Sequence, residues 1–101
     1  MNMIAVSTAM QEQVDQVIRE FAPDIVRIRF NNDNDWTGDP AIYFRAILSN
    51  EASSPERRKA VASKLRTKLR QIADALESGR IAYVHVRSES DQAKLREASW
   101  E

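Results

Sequence analysis

The chain has no cysteine, two glycines, three prolines, one histidine and no net charge. Without cysteine it has no disulfide, no thiolate nucleophile and no sulfur ligand for zinc. Two glycines are too few for the glycine-rich loops that hold phosphates. Fifteen basic residues balance fifteen acidic ones, so the molecule as a whole does not attract nucleic acid or an anionic membrane, although a local patch is compatible with that balance.

Long apolar runs are also missing. No stretch approaches the roughly 20 apolar residues of a membrane span, and the segment Met1–Val6 has neither the basic start nor the apolar length of a signal peptide. These features predict a cytoplasmic protein without a membrane partner. No nucleophile elbow, metal-ligand cluster or nucleotide-binding loop occurs in the sequence, so we expect a protein that is not an enzyme and needs no cofactor.

Length and periodicity predict a single α+β domain over residues 1–101. The pattern predicts helices over 7–21 and 55–77, strands over 25–30, 41–48 and 81–87, and a short C-terminal helix or tail over 91–101. The order α-β-β-α-β(-α) predicts a two-layer sandwich, a small three-stranded sheet with two helices packed on one face. Counting directions makes the third strand parallel to the second, but its place in the sheet stays open.

The order of elements resembles that of the ferredoxin-like domains at the cytoplasmic end of cation-diffusion transporters. It resembles more loosely the order in KH-type RNA-binding domains. The Gly-x-x-Gly loop with which a KH domain holds nucleic acid is absent, because the only glycines are Gly38 and Gly79. Neither resemblance identifies a family.

Local signals predict the ends of the helices. A capping box at Thr8 begins the first helix, and Ser53 or Ser54 caps the second, which Gly79 ends. Ser90 caps the short C-terminal helix.

Alternation along the strands assigns each side chain to one of two faces. The predicted inward set consists of aliphatic residues and phenylalanine: Val26, Ile28, Phe30, Ile42, Phe44, Ala46, Leu48, Ala82, Val84 and Val86. The opposite side, here named the arginine–tyrosine face, carries Arg27, Arg29, Arg45, Arg87, Tyr43, Tyr83 and His85 together with Ile47 and Ile81. Two helices cover only one side of the sheet, so we expect this face to be open.

Arginine and tyrosine are favoured at protein interfaces. We therefore predict that the arginines act as carboxylate or phosphate clamps and the tyrosines as flat contacts. The expected partner is a second copy of the chain or an acidic protein. RNA or single-stranded DNA is an alternative that the neutral charge disfavours, and a plain solvated surface is another. His85, the only histidine, makes no metal site alone and is expected on the surface.

The segment 31–40 is dense in turn-forming residues and predicts a long hairpin connection. Its aspartates and Gly38 partly match the calcium-loop pattern, but the twelfth position is Phe44 and strands flank the loop. A weak divalent-metal site over Asp33–Asp39 is thus a second alternative function. Asx-turns account for the same residues without a metal.

Two tryptophans and a basic helix complete the candidates. Trp36 is expected to fold back onto the edge of the core or, if exposed, to anchor a partner at the rim of the face. Trp100 is expected to dock on the body of the domain. The second helix has a row of basic residues: Arg57, Arg58, Lys59, Lys64, Arg66, Lys68 and Arg70. A solvated surface is the favoured interpretation of that row, and a cationic binding surface is the alternative.

Overall fold

The computed structural model describes the backbone of residues 3–101 and the side chains of residues 8–101. Met1 and Asn2, part of the segment considered for a targeting signal, lie outside the described residues. The elements are α1 (Met3–Phe21), β1 (Ile25–Asn34), β2 (Pro40–Leu48), α2 (Arg58–Ala75), β3 (Ile81–Ser88), α3 (Glu89–Leu95) and a 3₁₀ turn (Ala98–Trp100). The predicted α+β sandwich, a three-stranded sheet with helices on one face, is confirmed.

The sheet has the order β1-β2-β3. β1 pairs antiparallel with β2, and β3 pairs parallel with β2, which confirms the directions predicted from the connections. The structure adds that β3 lies beside β2, so β2 is the central strand. β1 and β3 are the edges.

The core lies between the sheet and the two long helices. Its most deeply buried side chains come from α1, β2 and α2: Met10, Val14, Val17, Ile42, Phe44, Leu48, Leu65 and Leu69. Full burial of one such side chain contributes roughly 1.5–3 kcal/mol relative to exposure. None of the described helices has the length and apolar character needed to cross a membrane.

The start of β1 differs from the prediction. The register shifts between Ile25 and Arg27, which is a β-bulge that adds one residue to this strand. As a result Ile25 is buried and Val26 is 41% exposed, so the prediction that Val26 points inward is wrong. From Ile28 onward the alternation is as predicted.

The N-terminal ends of α1 and α2 also differ from the prediction. α1 begins at Met3, so Thr8 lies within the helix and not at its start. α2 begins at Arg58 and not at position 55, and its first turn has no side-chain cap. Ser54 contributes through its backbone, since its carbonyl accepts the N–H groups of Arg57 and Arg58 at 3.1 and 2.9 Å.

The C-terminal end of α2 and the N-terminal end of α3 also differ from the prediction. α2 ends before Glu77, which takes the left-handed conformation at φ 50° and donates its N–H to the carbonyl of Asp74. Gly79 comes two residues later. α3 is capped by Ser88, whose hydroxyl accepts the N–H of Asp91 at 3.1 Å, and not by Ser90.

Candidate interaction face

The strand register arranges the arginine–tyrosine face as four rows that run across the sheet from β1 to β3. The rows are Arg27–Ile47–Arg87, Arg29–Arg45–His85, Asn31–Tyr43–Tyr83 and Asp33–Ala41–Ile81. The seven arginine, tyrosine and histidine positions singled out in the sequence therefore share one side of the sheet. They do not share one environment.

The first row is covered by residues 97–101, here named the C-terminal segment, which include the 3₁₀ turn. Trp100 is 7% exposed and Ile47 is 2% exposed, because the 3₁₀ turn lies across this end of the sheet. Arg27 donates from Nε to the carbonyl of Trp100 at 3.2 Å, and Arg29 donates from Nε to the carbonyl of Glu101 at 2.6 Å. The expectation of a fully open face is wrong at this end.

Arg87 is held by the same segment. Its guanidinium carbon lies 4.1 Å from the centre of the Trp100 ring. Its Nη1 donates to Gln92 Oε1 at 2.7 Å, and its Nη2 donates to Glu97 Oε1 at 3.1 Å. Both terminal nitrogens of the Arg87 guanidinium therefore donate within the domain.

The uncovered part of the face contains an aromatic strip, formed by Tyr43, Tyr83 and His85. The rings of Tyr43 and Tyr83 stack with centres 5.3 Å apart, and the ring of His85, also on β3, lies 6.4 Å from that of Tyr43. Arg45 lies 5.9 Å from the Tyr43 ring centre and donates from Nη1 to Asn31 Oδ1. The uncovered part of the face therefore presents partly exposed stacked rings and the guanidinium of Arg45.

Asp35 joins the hairpin to the aromatic strip. Its Oδ1 accepts the N–H and the hydroxyl of Thr37 at 2.9 and 2.5 Å and the N–H of Asp39 at 3.1 Å, while Oδ2 accepts the Tyr83 hydroxyl at 2.9 Å. The Thr37 hydroxyl is the main cause that lowers the pKa of Asp35. The bond to Asp35 is in turn the main cause that raises the pKa of Tyr83.

These bonds bear on the metal alternative. β1 continues to Asn34, so the hairpin connection is the five residues Asp35–Asp39 and not the longer loop predicted. Oδ1 of Asp35 already accepts hydrogen bonds within the turn, and Oδ2 accepts one from Tyr83 on β3. Among the described residues, no group of three or more histidine, aspartate or glutamate side chains is placed to hold a metal ion.

Trp36 lies at the tip of this hairpin and is 91% exposed. The expectation that it folds back onto the core is wrong, because the turn closed by Asp35 directs the indole away from the body of the domain. Ile81 is also exposed, at 47%, in the fourth row. The uncovered face therefore has apolar side chains at the end nearer the hairpin.

Charge on the uncovered face differs between the two sides of the tyrosines. The row on one side of the tyrosines contains two cationic side chains, Arg29 and Arg45, together with His85. Asp33 lies on the other side, and Asp39 is close enough to contribute to the raised pKa of Tyr83. Arg80, also at this end, donates to the backbone carbonyls of Asp33 and Ala41. The face thus has a positive row and a carboxylate-bearing end.

Sequence reasoning missed several residues that shape this face. Gln92, 5% exposed, donates from Nε2 to the Glu97 carbonyl at 2.9 Å and to Glu101 Oε1 at 2.7 Å, which ties down the C-terminal segment. One signal pointed to this cover: Ile47 is an aliphatic residue on an otherwise polar face, and a tryptophan lies near the end of the chain.

No family model, curated protein or solved structure matches this chain.

Proposed function

We propose that this protein is a small non-enzymatic interaction module that forms a two-fold homodimer through the uncovered part of the arginine–tyrosine face. The observation that carries the proposal is the opposite charge of the rows on either side of the tyrosines. A surface of this kind is complementary to itself after a two-fold rotation, as a symmetric dimer requires.

The geometry of such a dimer follows from the rows. In a face-to-face pair, a two-fold axis along the Asn31–Tyr43–Tyr83 row brings the tyrosines of the two copies together. The same rotation places Arg29 of one copy opposite Asp33 of the other, because both lie on β1. It places His85 opposite Ile81, since both lie on β3. Each cationic row then meets the carboxylate-bearing end of the other copy.

Apolar exposure supports the same surface. Trp36 and Ile81 are large apolar side chains with 91% and 47% exposure, and both lie toward one end of the aromatic strip. Tryptophan, tyrosine and arginine dominate the energetics of protein interfaces. Burial of Trp36 against a second copy would remove the most exposed aromatic side chain among the described residues from water.

The nucleic-acid alternative has less support on this face. Two of its four arginines, Arg27 and Arg87, are already paired with carboxylates of the C-terminal segment, those of Glu101 and Glu97. Nucleic-acid affinity comes largely from several cationic side chains on phosphates, and the aspartates at the other end of the face would repel the same backbone. An acidic protein partner meets the same repulsion.

The test is the mass in solution, measured by light scattering across a wide range of concentration. We expect the mass to rise from 11.6 kDa toward twice that value. Arg29→Asp and Asp33→Arg should each weaken dimerisation by about tenfold or more, because each creates a like-charge pair. The double variant should restore it.

Arg70→Glu is the matched control, since Arg70 is an exposed residue of α2 outside the face. It should leave the dimer unchanged. A mass that stays at 11.6 kDa at the highest soluble concentration would refute the proposal, as would a double variant weaker than both single ones.

A further inference from the structure

A second surface, separate from the arginine–tyrosine face, lies along the free edge of β3. In the described part of the chain, β3 pairs with β2 alone, so its other edge has backbone groups without a strand partner. The carbonyl of Val86 is reached from α2 by Arg58 Nη2 at 3.4 Å, which places that carbonyl on the free edge. Since residues two apart in a strand point their backbone groups to the same side, the N–H and C=O of Val84 face the same way.

A groove of about 640 Å³ follows this edge. One wall is α2, which contributes Arg58, Ala62 and Arg66 at a spacing of four residues, together with Lys59. Val84 and Val86 line the groove from β3, and Arg87 and Trp100 close one end of it. A helix beside a free strand edge is the arrangement in which extended peptides add to a sheet as an extra strand.

The charge of the groove has one sign. Its lining includes the basic side chains Arg58, Lys59, Arg66 and Arg87, with His85, and contains no aspartate or glutamate. Within the described residues, neither Lys59 nor Arg66 takes part in an ion pair with a carboxylate. Arg87 is paired with Glu97 at 3.1 Å, so the positive charge that the groove offers a ligand comes from the basic side chains of α2.

We propose that the groove binds an extended acidic peptide of a partner protein, which pairs with β3 as a fourth strand. Main-chain hydrogen bonds to Val84 and Val86 supply the pairing, and carboxylates at alternate positions of the peptide meet the basic wall of α2. Lys59 is exposed and Arg66 is half-buried, and both long side chains can turn toward the carboxylates of the peptide. Arg58 must exchange its bond to the Val86 carbonyl for a carboxylate.

A second copy of the chain fits this groove poorly. Pairing two β3 edges about a two-fold axis would bring two basic walls together, which costs like-charge repulsion. Nucleic acid lacks a stacking platform there, since Trp100 is buried beneath the Arg87 guanidinium. The charge of the groove therefore favours a peptide that carries carboxylates.

The probe is a fluorescein-labelled seven-residue peptide of alternating glutamate and valine, acetylated and amidated, titrated with the full chain and followed by fluorescence anisotropy. We expect binding with a Kd on the order of 1–100 µM, typical of a short added strand. The same peptide with N-methyl groups on alternate amides should bind at least tenfold more weakly, because methylation removes the main-chain donors. A peptide with lysine in place of glutamate should not bind.

Variants on α2 complete the test. Lys59→Glu with Arg66→Glu should weaken binding by more than tenfold, whereas Lys64→Glu should not. Lys64 carries the same charge on the same helix but lines a different groove, beside Asp24 and Glu56. Amide hydrogen exchange at Val84 and Val86 should slow when the peptide binds.

Three outcomes would overturn the proposal. The N-methylated peptide could bind as tightly as the unmethylated one, or Lys64→Glu could weaken binding as much as Lys59→Glu with Arg66→Glu. The third is that a single-stranded oligothymidylate of the same charge binds more tightly than the peptide. The dimer proposal is tested separately. Asp33→Arg, chosen to disrupt the dimer at a residue that does not line the groove, should leave the affinity for the peptide unchanged, so either proposal can fail alone.

Discussion

The guanidinium of Arg87 on β3 lies 4.1 Å above the ring of Trp100, the penultimate residue of the chain. This contact joins the last strand of the sheet to the C-terminal segment that crosses it. The cation–π attraction is reinforced by burial, since Trp100 is 7% exposed and covers Ile47. The contact therefore divides the arginine–tyrosine face into a covered end and an uncovered end.

Trp100→Ala should destabilise the domain by about 2–4 kcal/mol, because it exposes Ile47 and leaves a cavity under Arg87. Urea unfolding measures the change. Trp100→Phe should lower the free energy of unfolding by less than Trp100→Ala, since an aromatic ring remains beneath the guanidinium. An unchanged free energy of unfolding in Trp100→Ala would mean that the segment does not dock on the sheet.

The two tryptophans show what sequence can and cannot specify. Docking of Trp100 is the expected behaviour of a large aromatic side chain near a chain end and is confirmed. The position of Trp100 on the sheet depends on contacts such as those of Gln92 with Glu97 and Glu101. These contacts join α3 to the C-terminal segment, and no repeating pattern in the sequence predicts them. The exposure of Trp36 depends on the turn around Asp35, and turn conformation was not resolved by the pattern of Asn and Asp residues alone.

The strands show a similar division. A period of two residues predicted the faces of β2 and β3 correctly, because each position there follows the pleat without interruption. The same rule failed at Val26, since a bulge adds one residue and reverses the faces before it. The place of β3 in the sheet was undetermined because the direction of a strand does not fix its neighbour.

The bulge in β1 gives a pair of adjacent substitutions with opposite outcomes. Ile25→Ala should cost about 2–4 kcal/mol of unfolding free energy, because Ile25 is 3% exposed in the core. Val26→Ala should cost less than about 1 kcal/mol, because Val26 is 41% exposed. Urea unfolding of both variants measures the difference. If Val26→Ala lost more unfolding free energy than Ile25→Ala, Val26 would point inward as the sequence predicted. The bulge between Ile25 and Arg27 would then be contradicted.

Asp35 should make the domain sensitive to acid. Its folded-state pKa is lowered by the bonds from Thr37 and Tyr83, so its contribution to stability is fully present above the unfolded-state pKa of about 3.9. That contribution is lost as the pH falls through the lower folded-state pKa. We expect the stability difference between the wild-type chain and Asp35→Asn to shrink between about pH 5 and pH 2.

Urea unfolding at a series of pH values checks this expectation, and the difference between the two proteins removes the effect of the other carboxylates. Asp33→Asn is the control, because Thr37 and Tyr83 donate their hydrogen bonds to Asp35, two residues further along the chain, and not to Asp33. A difference that stays constant across the acid range would show that Asp35 titrates with the same pKa in the folded and unfolded chains.

Tyr83 should report the same bond from the alkaline side. The hydrogen bond to Asp35 raises the pKa of the Tyr83 hydroxyl above its ordinary value of about 10. The stabilisation is therefore complete below that value and is lost as the pH rises through the folded-state pKa. In a Tyr43→Phe background Tyr83 is the only tyrosine, so the tyrosinate absorbance follows its titration alone.

Adding Asp35→Asn to that background should move the absorbance transition to lower pH, because the amide no longer offers a charged acceptor to the phenol proton. Circular dichroism across the same range establishes that the fold persists where Tyr83 ionises. Asp33→Asn should leave the transition in place. If Asp35→Asn does not move it, the bond at 2.9 Å is not what holds the phenol proton, and the hairpin is not fixed to the aromatic strip through Asp35.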